Sequence, residues 1–221
     1  MRHKYPRTPH LPFSHGRTSD DRVLSSLDHF QGHEVVVTIK MDGENTSLYR
    51  DGFHARSLDS RHHPSRDWLA RFHSTFAHDI PDGWRICGEN LYARHSLGYD
   101  ALPSYFLGFS VWDETNTALS WDDTLEFFAL LGVTPVPELV AYRGVFDEAR
   151  LKTLAATLDV QQHEGFVVRL AGPIQFDAFS QSCAKWVRRE HVQTDTHWMH
   201  QAVVPNGLAV PAGVEKNGYT K

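Results

Sequence analysis

The sequence predicts an α+β fold built on a largely antiparallel sheet. Three observations carry this. Strand-like and helix-like segments are mixed along the chain without a regular βαβ alternation. The apolar run VVVTI at 35–39 reads as a buried strand. Asp51-Gly52 lies between residues 46–50 and 53–57, and this dipeptide is the strongest short-range hairpin signal.

The other elements follow in order. Residues 5–16 are rich in Pro and His and should run extended across the surface. Ser19-Asp20-Asp21 has helix N-cap character, and Val23, Leu24, Leu27 and Phe30 follow at helical spacing, so a helix ended by Gly32 is expected. Residues 65–78 form an amphipathic pattern with Trp68, Leu69, Phe72 and Phe76 on its apolar side. Strands are expected over 84–91 and 105–113. Helices are expected from Asp122 to Leu131, stopped by Gly132, and from Asp147 to Leu158. EGFVVRL at 164–170 and AKWVR at 184–188 read as further strands. A single domain over 1–208 is expected, with a loose tail at 209–221.

Composition narrows the function classes. The 221 residues carry 41% hydrophobic and 22% charged side chains, the balance of a globular protein. Net charge is −5, which excludes a uniformly basic nucleic-acid glove but leaves room for a local basic groove. No stretch approaches the roughly 18 apolar residues a membrane span needs. MRHKYPRTPH has no apolar core behind its basic residues and so is not a secretory signal. The expected compartment is the cytoplasm, where Cys87 and Cys183 stay unbridged.

The main chemical signal is Lys40-Met41-Asp42-Gly43, directly after the VVVTI strand. An ammonium group at the end of a buried strand must be solvated, paired or neutralised. Partial desolvation would lower its pKa and make the amine a better nucleophile. Gly43 lets the backbone turn tightly and approach a ligand. A strand-end Lys before Asp-Gly is also an ordinary hairpin start, so this motif alone decides little.

Further motifs follow in order: Gly88-Glu89-Asn90 with Tyr92, Phe109-Ser110-Val111-Trp112-Asp113, Glu164-Gly165-Phe166-Val167-Val168-Arg169, and Ala184-Lys185-Trp186-Val187-Arg188. The series resembles the covalent nucleotidyltransferase superfamily of DNA ligases, RNA ligases and capping enzymes, over about residues 35–190. Within it the chain is most similar to the ATP-dependent RNA ligases of the nick-sealing type. About 30 residues follow Arg188, too few for the OB-fold domain of DNA ligases and capping enzymes, so no C-terminal OB-fold domain is expected. Tyr5-Pro6-Arg7-Thr8-Pro9-His10 and His191-Val192-Gln193-Thr194-Asp195 also resemble flanks of bacterial homologues.

The resemblance implies a nucleotidyltransferase fold (the ATP-grasp-like adenylation fold of ligases), with antiparallel sheets flanking a nucleotide cleft. It implies ATP and Mg2+ as cofactors, with Mn2+ as an alternative metal. It also implies RNA ends as substrates: AMP passes from ATP to the lysine, then to an RNA 5′-phosphate, and leaves when a 3′-hydroxyl attacks. Lys40 matches the nucleophile, and Asp42 and Gly43 complete its motif. Asp42 would orient the lysine or a metal-bound water, or simply form the turn. Arg56, with Arg61 as the alternative, matches an arginine contacting ribose or phosphates. Glu89 matches the acceptor of a ribose hydroxyl. Trp112 falls where the superfamily stacks adenine, while Phe109, three residues earlier, belongs to the opposite strand face and the core. Asp113 matches an adjacent aspartate. Glu164 matches the carboxylate that holds the catalytic metal through water, and Lys185 the lysine on the α-phosphate.

The chain departs from the pattern in its last motif. Many relatives carry a second lysine two residues from the first, whereas Cys183 and Val187 flank Lys185 here. Arg188 or Arg189 could supply that cation, and with Arg94 these arginines could instead grip RNA phosphates. A minimal DNA-nick ligase and a catalytically degenerate RNA-binding module are the alternative readings, and a separate end-healing or RNA-binding partner protein fits the expectation of a missing C-terminal domain. His62-His63 and His197-x-x-His200 lack cysteine or carboxylate partners at zinc-site spacing.

Overall fold

The structure is a computed structural model that describes residues 1–60, 62–189 and 202–210. Its strands are β1 (Glu34–Lys40), β2 (Glu44–Tyr49), β3 (Gly52–Ala55), β4 (Arg85–Asn90), β5 (Phe106–Trp112), β6 (Thr117–Ala118), β7 (Thr134–Pro135), β8 (Gly144–Val145), β9 (Gly165–Leu170), β10 (Ile174–Gln175) and β11 (Cys183–Val187). The helices are α1 (Asp67–Ser74), α2 (Trp121–Leu131), α3 (Glu148–Thr157) and the single turn α4 (Phe179–Ser182).

Two sheets result. The first has the order β11-β9-β1-β8 and is antiparallel throughout. The second has the order β10-β6-β5-β4-β2-β3, with β7 added parallel to β5. The predicted hairpin is β2–β3, where Tyr49 faces Gly52 and Gly52 takes a φ of 139°. Such a φ suits glycine, which has no Cβ to clash.

Each sheet buries its outer face separately. Val35, Val37, Phe166, Val168, Ala184 and Trp186 cover Leu11, Leu27, Phe30 and the α3 residues Leu151 and Leu154. Leu48, Ile86, Phe106 and Val111 cover Leu69 of α1 and Phe128 of α2. A wholly buried leucine or phenylalanine contributes about 1.5–3 kcal/mol. α2 starts where Ser120 accepts the Asp123 N–H and stops at Gly132, φ 69°. Asp147 caps α3 by accepting the Arg150 N–H. Among the described residues no helix is long and apolar enough to cross a membrane.

The helix expected after Asp21 does not form. Only a 3-10 turn, Asp28–Phe30, is present. His10 takes the backbone groups that a helix would use: its N–H donates to Arg22 C=O, and its C=O accepts the Leu24 N–H. Asp21 closes a local turn instead, accepting from the Thr18 N–H at 2.9 Å. Leu27 and Phe30 are core residues as their pattern implies, but on irregular backbone. The 65–78 pattern is also divided, into a 3-10 turn at Pro64–Arg66, α1, and a second 3-10 turn at Ala77–Asp79.

The stretch before Asp21 is more than a surface strand. The Lys185 N–H donates to Pro9 C=O at 2.9 Å, and the Leu11 N–H donates to Lys185 C=O at 2.8 Å. This segment therefore extends the first sheet beyond β11. Near the other end, residues 202–210 lie along 91–105, where Asn206 Nδ2 donates to Leu91 C=O at 2.7 Å. The Ala209 N–H, at the start of the expected tail, donates to Leu102 C=O.

Candidate functional site

Between the sheets lies a cavity of about 1050 Å³. Its size is at the upper end of the roughly 300–1,000 Å³ common for small-molecule clefts. Lys40, Gly43, Arg56, Glu89 and Lys185 all line it. The first sheet delivers the two lysines through its register: Lys40 faces Gly165 across β1–β9, and Lys185 faces Val167 across β9–β11.

Lys40 Nζ donates to Glu164 Oε2 at 2.5 Å. Glu164 sits just before β9, and its side chain is 6% exposed. Gly165, the next residue, lets the β11 backbone pass close to β9, because a Cβ there would lie 1.9 Å from Trp186 O. Gly43 has a similar role, since its Cβ would fall 2.6 Å from Asn90 O, and its N–H donates to Glu89 Oε1 at 3.2 Å. The tight turn after Lys40 is thereby locked against β4.

The electrostatics correct one expectation. Burial does push the Lys40 pKa down, but the Glu164, Glu89 and Asp42 carboxylates outweigh it, and the net shift is upward. The resting lysine is a paired ammonium and not a free amine. Burial raises Glu89 to about 8, against the pull of Lys40 and with a push from Glu164 and Asp42. Lys185 moves the other way: burial and the Lys40 charge lower it, against Asp21 and Glu164. Asp21 Oδ1 lies 3.9 Å from Lys185 Nζ.

Trp112 is a second correction. It is wholly buried, with the Arg85 guanidinium 4.6 Å from its ring centroid, while Phe109 lines the cavity. The cause is a β-bulge. Cys87 pairs with Ser110 and Gly88 with Gly108, which leaves Phe109 as the extra residue. The bulge shifts the alternation, so Phe109 and Trp112 share the inward side, with Phe109 nearer the space. Asp42 is also redirected: its Oδ2 accepts from Ser96 Oγ at 2.7 Å and from the Leu97 N–H at 2.8 Å, so it anchors the 96–99 loop.

The remaining candidates divide. Asp113 accepts the Thr115 and Thr117 N–H groups and forms a turn. Arg94 pairs with Asp100 at 2.5 Å. Arg188 and Arg189 are not among the cavity-lining residues, and Val187 is 1% exposed with its N–H bonded to Ser14 Oγ. His62 pairs with Asp67, and His63 caps the turn at Pro64. Both cysteines are free and buried, and burial pushes Cys183 up to about 12. Arg61, His197, His200 and the 191–195 flank lie outside the described residues.

Sequence reasoning missed Tyr5, Arg7, Asp21 and Phe109 as cavity residues. The pattern Tyr-Pro-Arg-Thr-Pro was a usable signal, since two prolines stiffen the chain around a cation and an aromatic ring.

Among the described residues no cluster of three or more His, Cys, Asp or Glu side chains forms a ready-made metal cage. Hydrated magnesium does not require one, because it keeps several waters and takes one or two carboxylates plus substrate phosphates. Glu164 beside the cavity, with Glu89 lining it, fits that mode. An apolar patch of Phe109, Val167, Ile174 and Val136 in the same cavity suits a flat ring.

Comparison with solved structures places this fold among ligases. An archaeal ATP-dependent RNA ligase matches with a TM-score of 0.54 at 18% identity, over 83% of this chain and 48% of that one. A second form of the archaeal enzyme matches at 0.53 and 16%, over 74% and 44%. Naegleria gruberi RNA ligase with PPi matches at 0.53 and 18%, over 73% and 51%. The chain thus spans about half the length of these structures. No curated protein matches the sequence. A family model described as RNA ligase matches residues 33–187, well over half of the chain and the whole run of strands that carries the lysines and Glu164. The chain belongs to the RNA ligase family.

Proposed function

We propose that the chain is an ATP-dependent RNA ligase that joins RNA 3′-hydroxyl and 5′-phosphate ends through a lysyl-AMP intermediate on Lys40 and an RNA-adenylate. The observation that carries this reading is the Lys40 amine, held by Glu164 at 2.5 Å beside a cavity that also contains Lys185 and Glu89. A lysine held solely for stability would not need a second lysine and a nucleotide-sized space beside it.

Lys40 gives up its proton to water, and its Nζ lone pair attacks the α-phosphorus of ATP. The bond from that phosphorus to the bridging oxygen of the β-phosphate breaks, and pyrophosphate leaves with the electron pair. An RNA 5′-phosphate oxygen then attacks the lysine-bound AMP phosphorus, and the Lys40 nitrogen leaves with the bond's electron pair. Finally the 3′-hydroxyl oxygen attacks the RNA 5′-phosphorus, its proton goes to water and AMP leaves. The raised pKa of the resting lysine means that Glu164 must give up the ammonium before attack. Magnesium, when bound, would neutralise phosphate charge, and Glu164 is the carboxylate to hold it. Lys185, with its lowered pKa, is a cation for the α-phosphate, and Glu89 takes the ribose hydroxyls. Phe109 replaces Trp112 as the ring for adenine stacking.

Incubating the protein with ATP labelled in its α-phosphate, in magnesium, should yield a protein-bound AMP that survives denaturation. Lys40→Ala and Lys40→Arg should both show none, because guanidinium stays protonated. Undiminished labelling of either variant would remove Lys40 from the mechanism.

A further inference from the structure

The cations around the cavity are not equally compensated. Lys40 is paired with Glu164, Lys185 faces Asp21, and Arg66 Nη2 is bonded to Glu44. Arg7 and Arg56 also line the cavity, and among the described residues neither has a carboxylate within ion-pair distance. Arg7 makes one hydrogen bond, from Nη1 to Asp20 O at 3.2 Å. The two guanidinium groups come from remote parts of the chain and are near enough for the Arg7 charge to depress Arg56, after burial itself. The Glu89 and Asp21 carboxylates oppose that shift, and both arginines stay solvent-exposed, so a polyanion entering the cavity meets two accessible guanidinium groups with no ion-pair partner to displace.

The chain around Arg7 is built to hold it there. Tyr5 precedes Pro6 and Thr8 precedes Pro9, and a residue before proline is biased to extended backbone. The Tyr5 ring is wedged edge-on against Phe109 at 5.2 Å and against Phe179 at 5.4 Å. On the other side, Pro9 C=O accepts the Lys185 N–H. Arg7 is thus held between two anchors on the solvent-exposed lining of the cavity, two residues or roughly 7 Å of extended chain from Pro9, which bonds the Lys185 N–H. It lies before the residues 33–187 that the family model spans, and β11 carries Val187 where a second lysine was sought.

We infer that Arg7, acting with Arg56, binds the β- and γ-phosphates of ATP and the pyrophosphate they become, so that the N-terminal segment supplies the cation that β11 lacks. This rests on the adenylylation reading above. A bidentate guanidinium suits a group of several phosphate oxygens that must be held and then released with its charge intact.

The test uses inorganic pyrophosphate as the probe. Calorimetric titration of pyrophosphate into the AMP-saturated full chain should give a Kd at least tenfold weaker for Arg7→Ala than for the unmodified protein, with Arg7→Lys in between. Arg7→Ala should also need at least tenfold more pyrophosphate to reverse a preformed lysyl-AMP adduct, while it seals pre-adenylylated RNA at the normal rate. Unchanged pyrophosphate binding would overturn the inference. So would normal pyrophosphate binding with impaired sealing, which would put Arg7 on the RNA 5′-phosphate. If the unmodified protein forms no adduct, the adenylylation reading fails, but the titration still decides whether Arg7 holds pyrophosphate.

Discussion

The two walls of the cleft differ in how they bring side chains to the cavity. In the first sheet, β1, β9 and β11 pair without a register shift, and Lys40 and Lys185 reach the space through that unbroken ladder. In the second sheet, β4 and β5 slip at Cys87/Gly88, and the slip turns Phe109 inward. The regular wall holds both lysines, which need fixed separations from a phosphate, while Glu89 on β4 and Arg56 just after β3 face them from the second sheet. The bulged wall holds the flat apolar face, which needs only area. A strained or irregular segment is tolerated where the contact is non-directional, and a ladder is kept where hydrogen bonds must be aimed.

This division can be broken by mutation, and the largest effect belongs to the regular wall. Glu164→Ala should slow adduct formation in magnesium by about a hundredfold or more, because several kcal/mol of charge stabilisation is asked of that carboxylate. Single-turnover labelling measures it, and a loss below about tenfold, roughly 1.4 kcal/mol, would remove the metal-holding role.

Protonation of the same wall gives the next effect. Because the Lys40 pKa is raised, the amine is the minor form at neutral pH, and its fraction grows as pH rises. Adduct formation should therefore climb by about tenfold per pH unit on the acid side, approaching a plateau only in alkali. Across the cleft on β4, Glu89, raised to about 8, should add an inflection near that pH, and Glu89→Gln should remove it. A flat profile between pH 6 and 8 would show that deprotonation of Lys40 does not limit the step.

On the bulged wall the effects are smaller and should separate cleanly. Phe109→Ala should raise the KM for ATP by about tenfold, consistent with the roughly 1–3 kcal/mol of a base–aromatic stack. Trp112→Phe should leave KM unchanged and instead lower stability by about 1 kcal/mol, since it loses area and weakens the contact with Arg85. Steady-state KM and thermal melting of the two variants read this directly, and a reversed pattern would return adenine to Trp112.

Much of the regular wall was legible in the sequence. An apolar strand ending in lysine, an EG strand and a lysine strand are local patterns, and antiparallel pairing then brings them together with little freedom. What was not legible depended on distant partners. The failed helix after Asp21 was decided by His10, whose backbone competes for Arg22 and Leu24. The exchange of Trp112 for Phe109 was decided by a bulge that strict two-residue alternation cannot register. Asp42 carries the right motif letter, but the 96–99 loop claims its carboxylate. The Lys40 pKa also eluded local reasoning, because burial and three carboxylates from separate segments oppose each other.

The pairing of Pro9 and Leu11 with Lys185 has a consequence in time. These residues lie some 175 positions apart, yet their hydrogen bonds close one side of the cleft. At roughly 5–20 residues per second of synthesis, the early segment waits about ten to thirty-five seconds for its partner strand to emerge. During that interval Leu11, whose side chain ends wholly buried, has only Leu27, Phe30, Val35 and Val37 of the early chain beside it and lacks Phe166, Val168, Ala184 and Trp186. The nascent chain therefore passes through a stage in which the hairpin and the second sheet can assemble while Tyr5, Arg7 and Leu11 remain undocked, and a chaperone that shields apolar N-terminal segments would act at that stage.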